Sequence, residues 1–467
     1  MRHTKIICTM GPATRSPDVV RSLVEAGMDV ARINLSHGTH ADHAATVERV
    51  RAAADATGRP VAVLADLQGP KIRLGRFRGG AAVLQQGATF TMSGEPVEGT
   101  CEQASVTYGA LARDLSPGDT LLLDDGSVRL KALTTDGLCV ACEVMEGGPL
   151  SDAKGVNLPG AKLSVGALTD KDVDDLRCAL GWGADIVALS FVRRPEDADA
   201  VRRVMEDAGR RAPVVAKVER PEAVADLDAV LRAFDGVMVA RGDLGVELPL
   251  EQVPLVQKRI VQAARERGKP AIIATQMLES MTRNSRPTRA EVSDVANAVL
   301  DGADALMLAA ETGVGSHPAE TVATMARIVS AIERDSLPTI PSLGAEDGTQ
   351  LAAVTGAALA IAGRVGARAV VAFTETGESA CSLSRHRPSI PVIALTPHRP
   401  VRDQLALAWG VDPSWAPASV REENVMDLVD QAVLSRGGKA GDRVVVVGAP
   451  HDQDSSADQL RVHEVRA

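Results

Sequence analysis

Short runs of apolar and β-branched residues recur along the first two-thirds of the chain, and most are followed by apolar residues at helical spacing. Such alternation is typical of parallel α/β structure. Eight repeats favour a closed (β/α)8 TIM barrel over an open sheet, because eight strands close around an interior that side chains can fill. We expect the strands to begin near Ile6, Val30, Val61, Ile186, Val214, Val237, Ile272 and Ala305.

One interval between strands is far longer than the others, since more than a hundred residues separate Asp66 from Ile186. Its sequence pattern is that of an all-β domain, with turn sequences at 116–119 (SPGD) and 124–126 (DDG) between short runs of alternating apolar and polar residues. We therefore assign 72–166 to an inserted β-barrel lid domain. The barrel then comprises residues 1–71 and 167–340.

The segment from Leu337 to Gly348 is rich in proline and glycine, as linkers are. After it, an alanine-rich helix begins near Gln350, and strands are expected at 369–373, 391–396 and 443–448. This pattern predicts a separate α/β domain over residues 341–467.

The amino-acid composition limits the kinds of binding partner and the cellular compartment that we expect for this protein. The net charge is −10 and aromatic residues make up 2%, which argues against nucleic-acid binding. No run approaches the ~20 apolar residues that span a bilayer, so no membrane association is expected. The six cysteines fit reduced core thiols, and Cys139 and Cys142 lack a second pair for zinc. We predict a cytoplasmic protein.

Polar residues gather at the carboxyl ends of the predicted strands, where barrels of this class build their sites. Strong cations and several carboxylates together suit an anionic, phosphate-bearing substrate bridged to a metal ion. The residues are Arg32, Asn34, Ser36, Asp66, Lys217, Glu219, Arg241, Asp243, Thr275 and Glu311.

Glu219 and Asp243 end neighbouring strands, and two carboxylates with waters and substrate oxygens commonly hold Mg2+. We propose them as magnesium ligands, the alternative being ion pairs with Lys217 and Arg241. Gly242 lets the backbone approach an anion closely.

Eight further segments follow one another along the chain: 5–14, 31–38, 64–73, 154–160, 215–224, 237–249, 272–281 and 294–318. In this order they resemble the signatures of the pyruvate kinase family. The barrel, the lid after the third strand and the carboxyl-terminal α/β domain also match that family's architecture. The resemblance implies phosphoryl transfer from phosphoenolpyruvate to ADP, giving pyruvate and ATP, in an enzyme of glycolysis that needs Mg2+, for which Mn2+ can substitute.

The resemblance also implies roles for single residues. Arg32 would bind the transferred phosphate, and Lys217 would stabilise its charge during transfer. Gly242 and Asp243 would line the substrate carboxylate site, and Thr275 would lie near the enolate carbon that is protonated. By the same resemblance, Glu219 and Asp243 hold the magnesium ion, and the nucleotide side of the pocket comprises Asn34, His37, Arg73 and, on the lid, Lys154.

Two features concern ions and effectors. A potassium site of many members is matched by Asn34, Ser36, Asp66 and the carbonyl of Leu67. Lys71, however, stands where potassium-dependent members commonly carry glutamate, so we expect weak or absent potassium dependence.

The loop in which regulated members bind an effector phosphate is matched by Thr374, Thr376, Gly377 and Ser379. Glu375 and Glu378 argue against a bisphosphate there and leave a monophosphate open. Members commonly form homotetramers, which we expect here as well.

Two other functions stay open on sequence alone. A magnesium-dependent barrel lyase or mutase acting on phosphoenolpyruvate or 2-oxo acids would use the same carboxylates, but it would not need Arg73, Lys154 or the lid. A catalytically silent metabolite-binding regulator would not need Lys217 and Thr275 together with the metal ligands.

Overall fold

Buried strands and amphipathic helices alternate from the start of the chain. The computed structural model describes residues 2–161, 163–336, 340, 343, 349–418, 424–449 and 459–467. Every residue of the first and third strands is buried, as expected for strands covered on both faces. The first elements are β1 (Lys5–Thr9), α1 (Pro17–Ala26), β2 (Val30–Asn34), α2 (His40–Thr57) and β3 (Ala62–Asp66).

The chain then leaves the barrel for the lid, whose strands alternate buried and exposed residues around an apolar core of their own. One sheet has the order β11-β7-β8-β9-β5-β6, and a second pairs β10 with β4. The elements are β4 (Ala81–Leu84), β5 (Thr89–Ser93), β6 (Gln103–Ser105), α3 (Leu111–Asp114), β7 (Thr120–Leu123), β8 (Val128–Thr135), β9 (Cys139–Glu146), β10 (Gly148–Ser151) and β11 (Val156–Asn157).

The remaining barrel strands follow in alternation with helices. Those helices are α4 (Asp170–Trp182), α5 (Asp197–Asp207), α6 (Pro221–Ala225), α7 (Leu227–Ala233), α8 (Arg241–Glu247), α9 (Val253–Glu266), α10 (Arg289–Leu300), α11 (Ala310–Gly313) and α12 (Pro318–Ser336). The strands are β12 (Ile186–Leu189), β13 (Val214–Val218), β14 (Gly236–Ala240), β15 (Ala271–Ala274) and β16 (Ala305–Leu308).

The eight parallel strands close in the order β1-β16-β15-β14-β13-β12-β3-β2, so the predicted barrel is confirmed. Each strand begins within one residue of its expected start. Among the described residues, no helix is both long enough and apolar enough to cross a membrane.

Four aspartates, which we call the base aspartates, immediately precede alternate barrel strands. Each carboxylate accepts a hydrogen bond from a backbone N–H at the start of the neighbouring strand. This pins the strands in pairs at the amino-terminal end of the barrel, the base. The bonds are Ile6 N to Asp29 (2.8 Å), Val63 N to Asp185 (2.7 Å), Val214 N to Asp235 (2.8 Å) and Ala271 N to Asp304 (3.0 Å).

The carboxyl-terminal α/β domain has a five-stranded sheet in the order β19-β18-β17-β20-β21, with the last strand antiparallel to β20. The sequence predicted β17, β18 and β20 but missed the two edge strands. The predicted linker 337–348 lies outside the described residues, except for 340 and 343. The elements are α13 (Gln350–Val365), β17 (Ala369–Phe373), α14 (Glu378–Ser384), β18 (Val392–Thr396), α15 (Arg399–Gln404), β19 (Val411–Trp415), α16 (Val425–Leu434), β20 (Arg443–Val447) and β21 (Leu460–Glu464).

Candidate active site at the barrel mouth

Two cations converge on one buried carboxylate at the mouth, the carboxyl-terminal end of the barrel. Arg32 Nε lies 2.7 Å from Asp66 Oδ2, and Lys217 Nζ lies 3.2 Å from Asp66 Oδ1. Arg32 also donates to Thr9 Oγ1 at 3.0 Å, and Lys217 to Ser190 Oγ at 2.7 Å. Parallel strands end at the same rim, so β2, β3 and β13 bring these side chains together.

The charges in this cluster stabilise one another. Burial alone would raise the pKa of Asp66, but Lys217 and Arg32 outweigh it and hold that pKa below its ordinary value. Burial alone would lower the pKa of Lys217, yet Asp66 and Glu219 raise it above its ordinary value. Lys217 therefore remains a fixed ammonium at neutral pH.

Glu219 and Asp243 form a carboxylate pair beside these cations. Glu219 Oε1 lies 3.0 Å from Lys217 Nζ, and its other oxygen accepts the N–H of Phe191 at 2.8 Å. Burial raises the pKa of Glu219, and Asp243 raises it further, while Lys217 opposes both. Asp243 is partly exposed to the cleft. The ranges that the structure describes contain no cluster of three or more metal-binding side chains, so a metal held here would need ligands from substrate or water.

Thr275 has a strained backbone, with φ of +72°, which is rare for a β-branched residue. Its hydroxyl donates to Ala274 O at 2.6 Å and accepts the N–H of Gly242 at 2.9 Å. Arg241 Nη2 donates to Thr275 O at 2.5 Å, while Nη1 pairs with Asp294 at 2.7 Å. Arg241 thus supports the loop that carries Thr275.

Arg73 and Lys154 lie where the lid joins the barrel, and Arg73 is close to the loop after β2. Arg73 donates to Ala153 O at 3.0 Å, and the N–H of Leu74 donates to Lys154 O at 2.8 Å, so Arg73 and Lys154 lie on adjacent segments. Burial lowers the pKa of His37, and nearby cations, Arg73 first among them, lower it further. His37 and Arg73 therefore share one electrostatic environment across the cleft. Lys154 itself pairs with Asp124 at 2.9 Å.

The matched potassium residues are close together but already have protein partners. Asn34 Oδ1 accepts the N–H of Ser36 at 3.2 Å, and the carbonyl of Leu67 accepts the hydroxyl of Ser190 at 2.6 Å. Lys71 Nζ lies 3.8 Å from Asp243 Oδ1, so Lys71 faces the mouth.

Glu311, expected at the mouth, is fully buried, and its carboxylate accepts the N–H groups of Leu278 (3.1 Å) and Ala309 (2.7 Å). Its role is to order the loops after β15 and β16.

In the carboxyl-terminal domain, the N–H of Gly377 donates to Thr374 Oγ1 at 2.8 Å, and Gly377 has φ of +93°. Thr376 follows in the same loop, Ser379 lies buried in the first turn of α14, and Glu375 forms an ion pair with His398.

Sequence reasoning missed several residues whose hydrogen bonds fix the side chains and loops of the mouth. Ser190 bridges Lys217 and Leu67, as described above. Asp172 Oδ1 accepts the N–H of Gly69 at 3.0 Å, and Lys171 Nζ donates to Leu35 O at 2.8 Å. The capping sequence Thr169–Asp172 was a signal for the start of α4, but its contacts with distant loops are tertiary.

Comparison with known proteins agrees with this geometry. The family model described as "Pyruvate kinase, barrel domain" matches residues 1–322, and "Pyruvate kinase, alpha/beta domain" matches residues 352–463. A pyruvate kinase of Corynebacterium glutamicum is 52% identical over 464 residues, covering 99% of this chain and 97% of the relative.

A pyruvate kinase of Mycobacterium tuberculosis H37Rv is 52% identical over 466 residues, covering 99% of this chain and 98% of the relative. The crystal structure of a pyruvate kinase from Cryptosporidium parvum has a TM-score of 0.92 at 33% identity, covering 99% of this chain and 96% of that chain. The chain belongs to the pyruvate kinase family, phosphotransferases of glycolysis that transfer the phosphoryl group of phosphoenolpyruvate to ADP.

Proposed function

We propose that phosphoenolpyruvate and ADP react in the barrel mouth, with Arg32 binding the phosphoryl group and Lys217 stabilising its charge in transfer. The convergence of both cations on Asp66 is the observation that supports this most directly. A phosphoryl group in transfer spreads negative charge over its equatorial oxygens, and fixed cations stabilise that charge without covalent participation. Because Asp66 and Ser190 already orient these side chains, little reorganisation is needed when substrate binds.

Glu219 and Asp243 would hold Mg2+, or Mn2+ in its place. Their chemistry fits, because two carboxylates completed by substrate oxygens and waters are common for magnesium in phosphoryl-transfer sites. Burial is the main cause of the raised pKa of Glu219, and the negative charge of Asp243 adds to it, so a divalent cation between the two carboxylates would stabilise their ionised forms. The bound ion would supply charge neutralisation at the phosphoryl oxygens.

Thr275 is assigned to the neighbourhood of the enolate carbon that takes up a proton as pyruvate forms. Its hydroxyl is fixed by the Gly242 N–H, and Gly242 and Asp243 are assigned to the substrate carboxylate. The strained backbone of Thr275 is consistent with such a role, because strain of this kind is concentrated at functional sites.

The nucleotide side of the site is assigned to Asn34, His37, Arg73 and Lys154. Arg73 and Lys154 belong to the lid, so closure of the lid would bring their positive charges close to the phosphates of ADP. Closure would also exclude water, which otherwise competes with ADP for the phosphoryl group.

The monovalent-ion part of the proposal is that Lys71 supplies the charge that K+ supplies in other members. Its ammonium faces Asp243 at 3.8 Å. Potassium bound at Asn34, Ser36, Asp66 and the Leu67 carbonyl would add a further cation beside Lys217 and Arg32, so we expect little dependence on K+.

Regulation, assembly and compartment complete the proposal. The loop of Thr374, Thr376, Gly377 and Ser379 would bind the phosphate of a monophosphate effector, since the carboxylates of Glu375 and Glu378 would disfavour the second phosphate of a bisphosphate. The chain would assemble as a homotetramer through the barrel and the carboxyl-terminal domain, and would act in the cytoplasm.

The experiment is to measure pyruvate formation from phosphoenolpyruvate and ADP with Mg2+ in the wild type, Lys217→Met and Lys5→Met. Lys5 is a matched control, because it is a buried lysine in β1 that donates to Val411 O at 2.7 Å at the barrel base. We expect Lys217→Met to reduce kcat by at least about 100-fold, while folded Lys5→Met retains turnover. Equal turnover in folded Lys217→Met and wild type would contradict the role of Lys217.

A further inference from the structure

A nucleophile, a base and a carboxylate meet on the outer surface of the barrel, between α2 and α4. Cys178 Sγ lies 3.4 Å from His40 Nδ1, and His40 Nε2 lies 2.7 Å from Asp175 Oδ1. A thiol in hydrogen-bond reach of an imidazole that a carboxylate orients is the general arrangement of an activated nucleophile. The reaction of the barrel mouth uses none of these three residues.

The other cysteines differ from Cys178. Cys8 is fully buried, and burial raises the pKa of Cys142 and of Cys381 to about 12. Cys101 on the lid is exposed and Cys139 is half-buried, but no imidazole of the described ranges is hydrogen-bonded to either sulfur. Cys178 therefore combines partial exposure with an adjacent base, and Cys101 provides a natural comparison.

The same side chains continue inward to the active-site loop. Asp175 Oδ2 lies 2.5 Å from Lys171 Nζ, which donates to the carbonyl of Leu35 at 2.8 Å. Leu35 lies between Asn34 and Ser36, on the nucleotide side of the mouth. Cys178 is thus linked through His40, Asp175 and Lys171 to the loop that follows β2.

We propose that Cys178 is a site of thiol–disulfide exchange with low-molecular-weight disulfides, and that the resulting adduct weakens nucleotide binding. In the exchange, His40 takes the thiol proton as Cys178 Sγ attacks one sulfur of the disulfide. The new Cys178 S–S bond forms as the old S–S bond breaks, and the departing thiolate takes the proton from His40. One sulfur of the small disulfide leaves as a thiol and is thereby reduced, while the Cys178 sulfur is oxidised into the mixed disulfide, so atoms and electrons balance.

The need for His40 follows from the surroundings of Cys178. Partial burial raises the pKa of this thiol, and the charges of Asp175 and Asp174 raise it further. The resting thiol is therefore neutral at pH 7, and its attack depends on proton transfer to the imidazole. An adduct on Cys178 Sγ would displace His40 and so release Asp175 and Lys171 from their present positions.

The first test is the reaction of the native full-length chain with 5,5′-dithiobis(2-nitrobenzoic acid), with mass spectrometry of the labelled peptides. We expect Cys178 to react before Cys101, Cys178→Ser to lose the fast phase, and Cys101→Ser to keep it. In His40→Gln the rate at Cys178 should fall by about tenfold or more. Labelling of Cys101 ahead of Cys178, or an unchanged rate in His40→Gln, would overturn the proposal.

The second test concerns the effect on turnover, which rests on the function proposed above, whereas the exchange itself does not. After modification, the KM for ADP should rise more than the KM for phosphoenolpyruvate, and dithiothreitol should reverse the change. Cys178→Ser, treated identically, should keep its kinetics. Complete modification of Cys178 with unchanged KM values would refute the link to the mouth, and an inactive untreated wild type would instead contradict the proposed function.

Discussion

The two ends of the barrel use the same types of charged residue in different ways. At the base, Arg387 pairs with Asp304 at 2.8 Å, and the two side chains are only 3% and 6% exposed. At the mouth, Lys71 and Asp243 are 3.8 Å apart, and their side chains are 32% and 29% exposed. The base is covered by the carboxyl-terminal domain, whereas the mouth opens to a cleft below the lid.

The chemical identity of an ion pair therefore does not decide its role. A buried pair whose oxygens also accept backbone N–H groups, as Asp304 does from Ala271, is committed to structure. Where the two charged groups are further apart and partly exposed, each of them can instead bind a charged ligand when one arrives. Function is therefore expected at the mouth and stability at the base.

The largest expected effect is on stability, from Asp304→Ala. This change leaves the guanidinium of Arg387 buried without its carboxylate partner and frees the N–H of Ala271, which should cost about 3–5 kcal/mol. Calorimetric unfolding should show a clearly lower Tm, while the folded fraction keeps its turnover.

Asp243→Ala is the control at the mouth. It should abolish turnover and leave Tm nearly unchanged, because Asp243 is partly exposed and its ammonium partner is distant. Similar losses of Tm in the two variants would remove the contrast between the two ends.

Lys71→Glu should produce an intermediate effect and tests the mouth alone. With the ammonium replaced by a carboxylate, turnover without K+ should fall about tenfold or more, and added K+ should restore part of it. The measurement is kcat at fixed ionic strength with K+ exchanged for a tetraalkylammonium ion. A wild type that already requires K+ would show that Lys71 does not replace it.

The smallest expected effect concerns the helix cap behind the mouth. Thr169→Ala removes the cap of α4, and Thr288→Ala removes the equivalent cap of α10; both should cost about 1 kcal/mol. Only Thr169→Ala should also raise the KM for ADP, because Asp172 links that cap to Gly69 in the loop before the lid. Equal KM values in the two variants would show that the cap has no influence on the site.

The sequence predicted the barrel well because each buried strand consists mostly of apolar residues, a pattern that is readable without knowledge of the neighbouring strands. The edge strand β19 was missed because its sequence, VDPSW, contains Pro413, which argues against a strand inside a sheet. β21 (LRVHE) was missed because it is an exposed edge strand with charged residues.

Site residues at strand ends were predictable because parallel strands end at a common rim. Ser190 and Lys171 were not, since their contacts with Leu67, Lys217 and Leu35 depend on how loops pack after the barrel closes. Glu311 carried the same strand-end signal as Glu219, and both are buried. They differ in their partners, because Glu311 accepts two backbone N–H groups, whereas Glu219 accepts one and faces Lys217.

The hydrogen bond between the Val63 N–H and Asp185 affects how the barrel tolerates the inserted lid. Val63 lies in β3 and Asp185 immediately precedes β12, and these are the two strands between which the lid is inserted. Arg51 adds to this contact by donating to Asp185 at 2.6 Å and to Val61 O at 2.9 Å. The contact between β3 and β12 is thus stabilised without any help from the inserted lid. Because the contact between β3 and β12 does not depend on the lid, a change in the position or the length of the lid is expected to cost the barrel little stability.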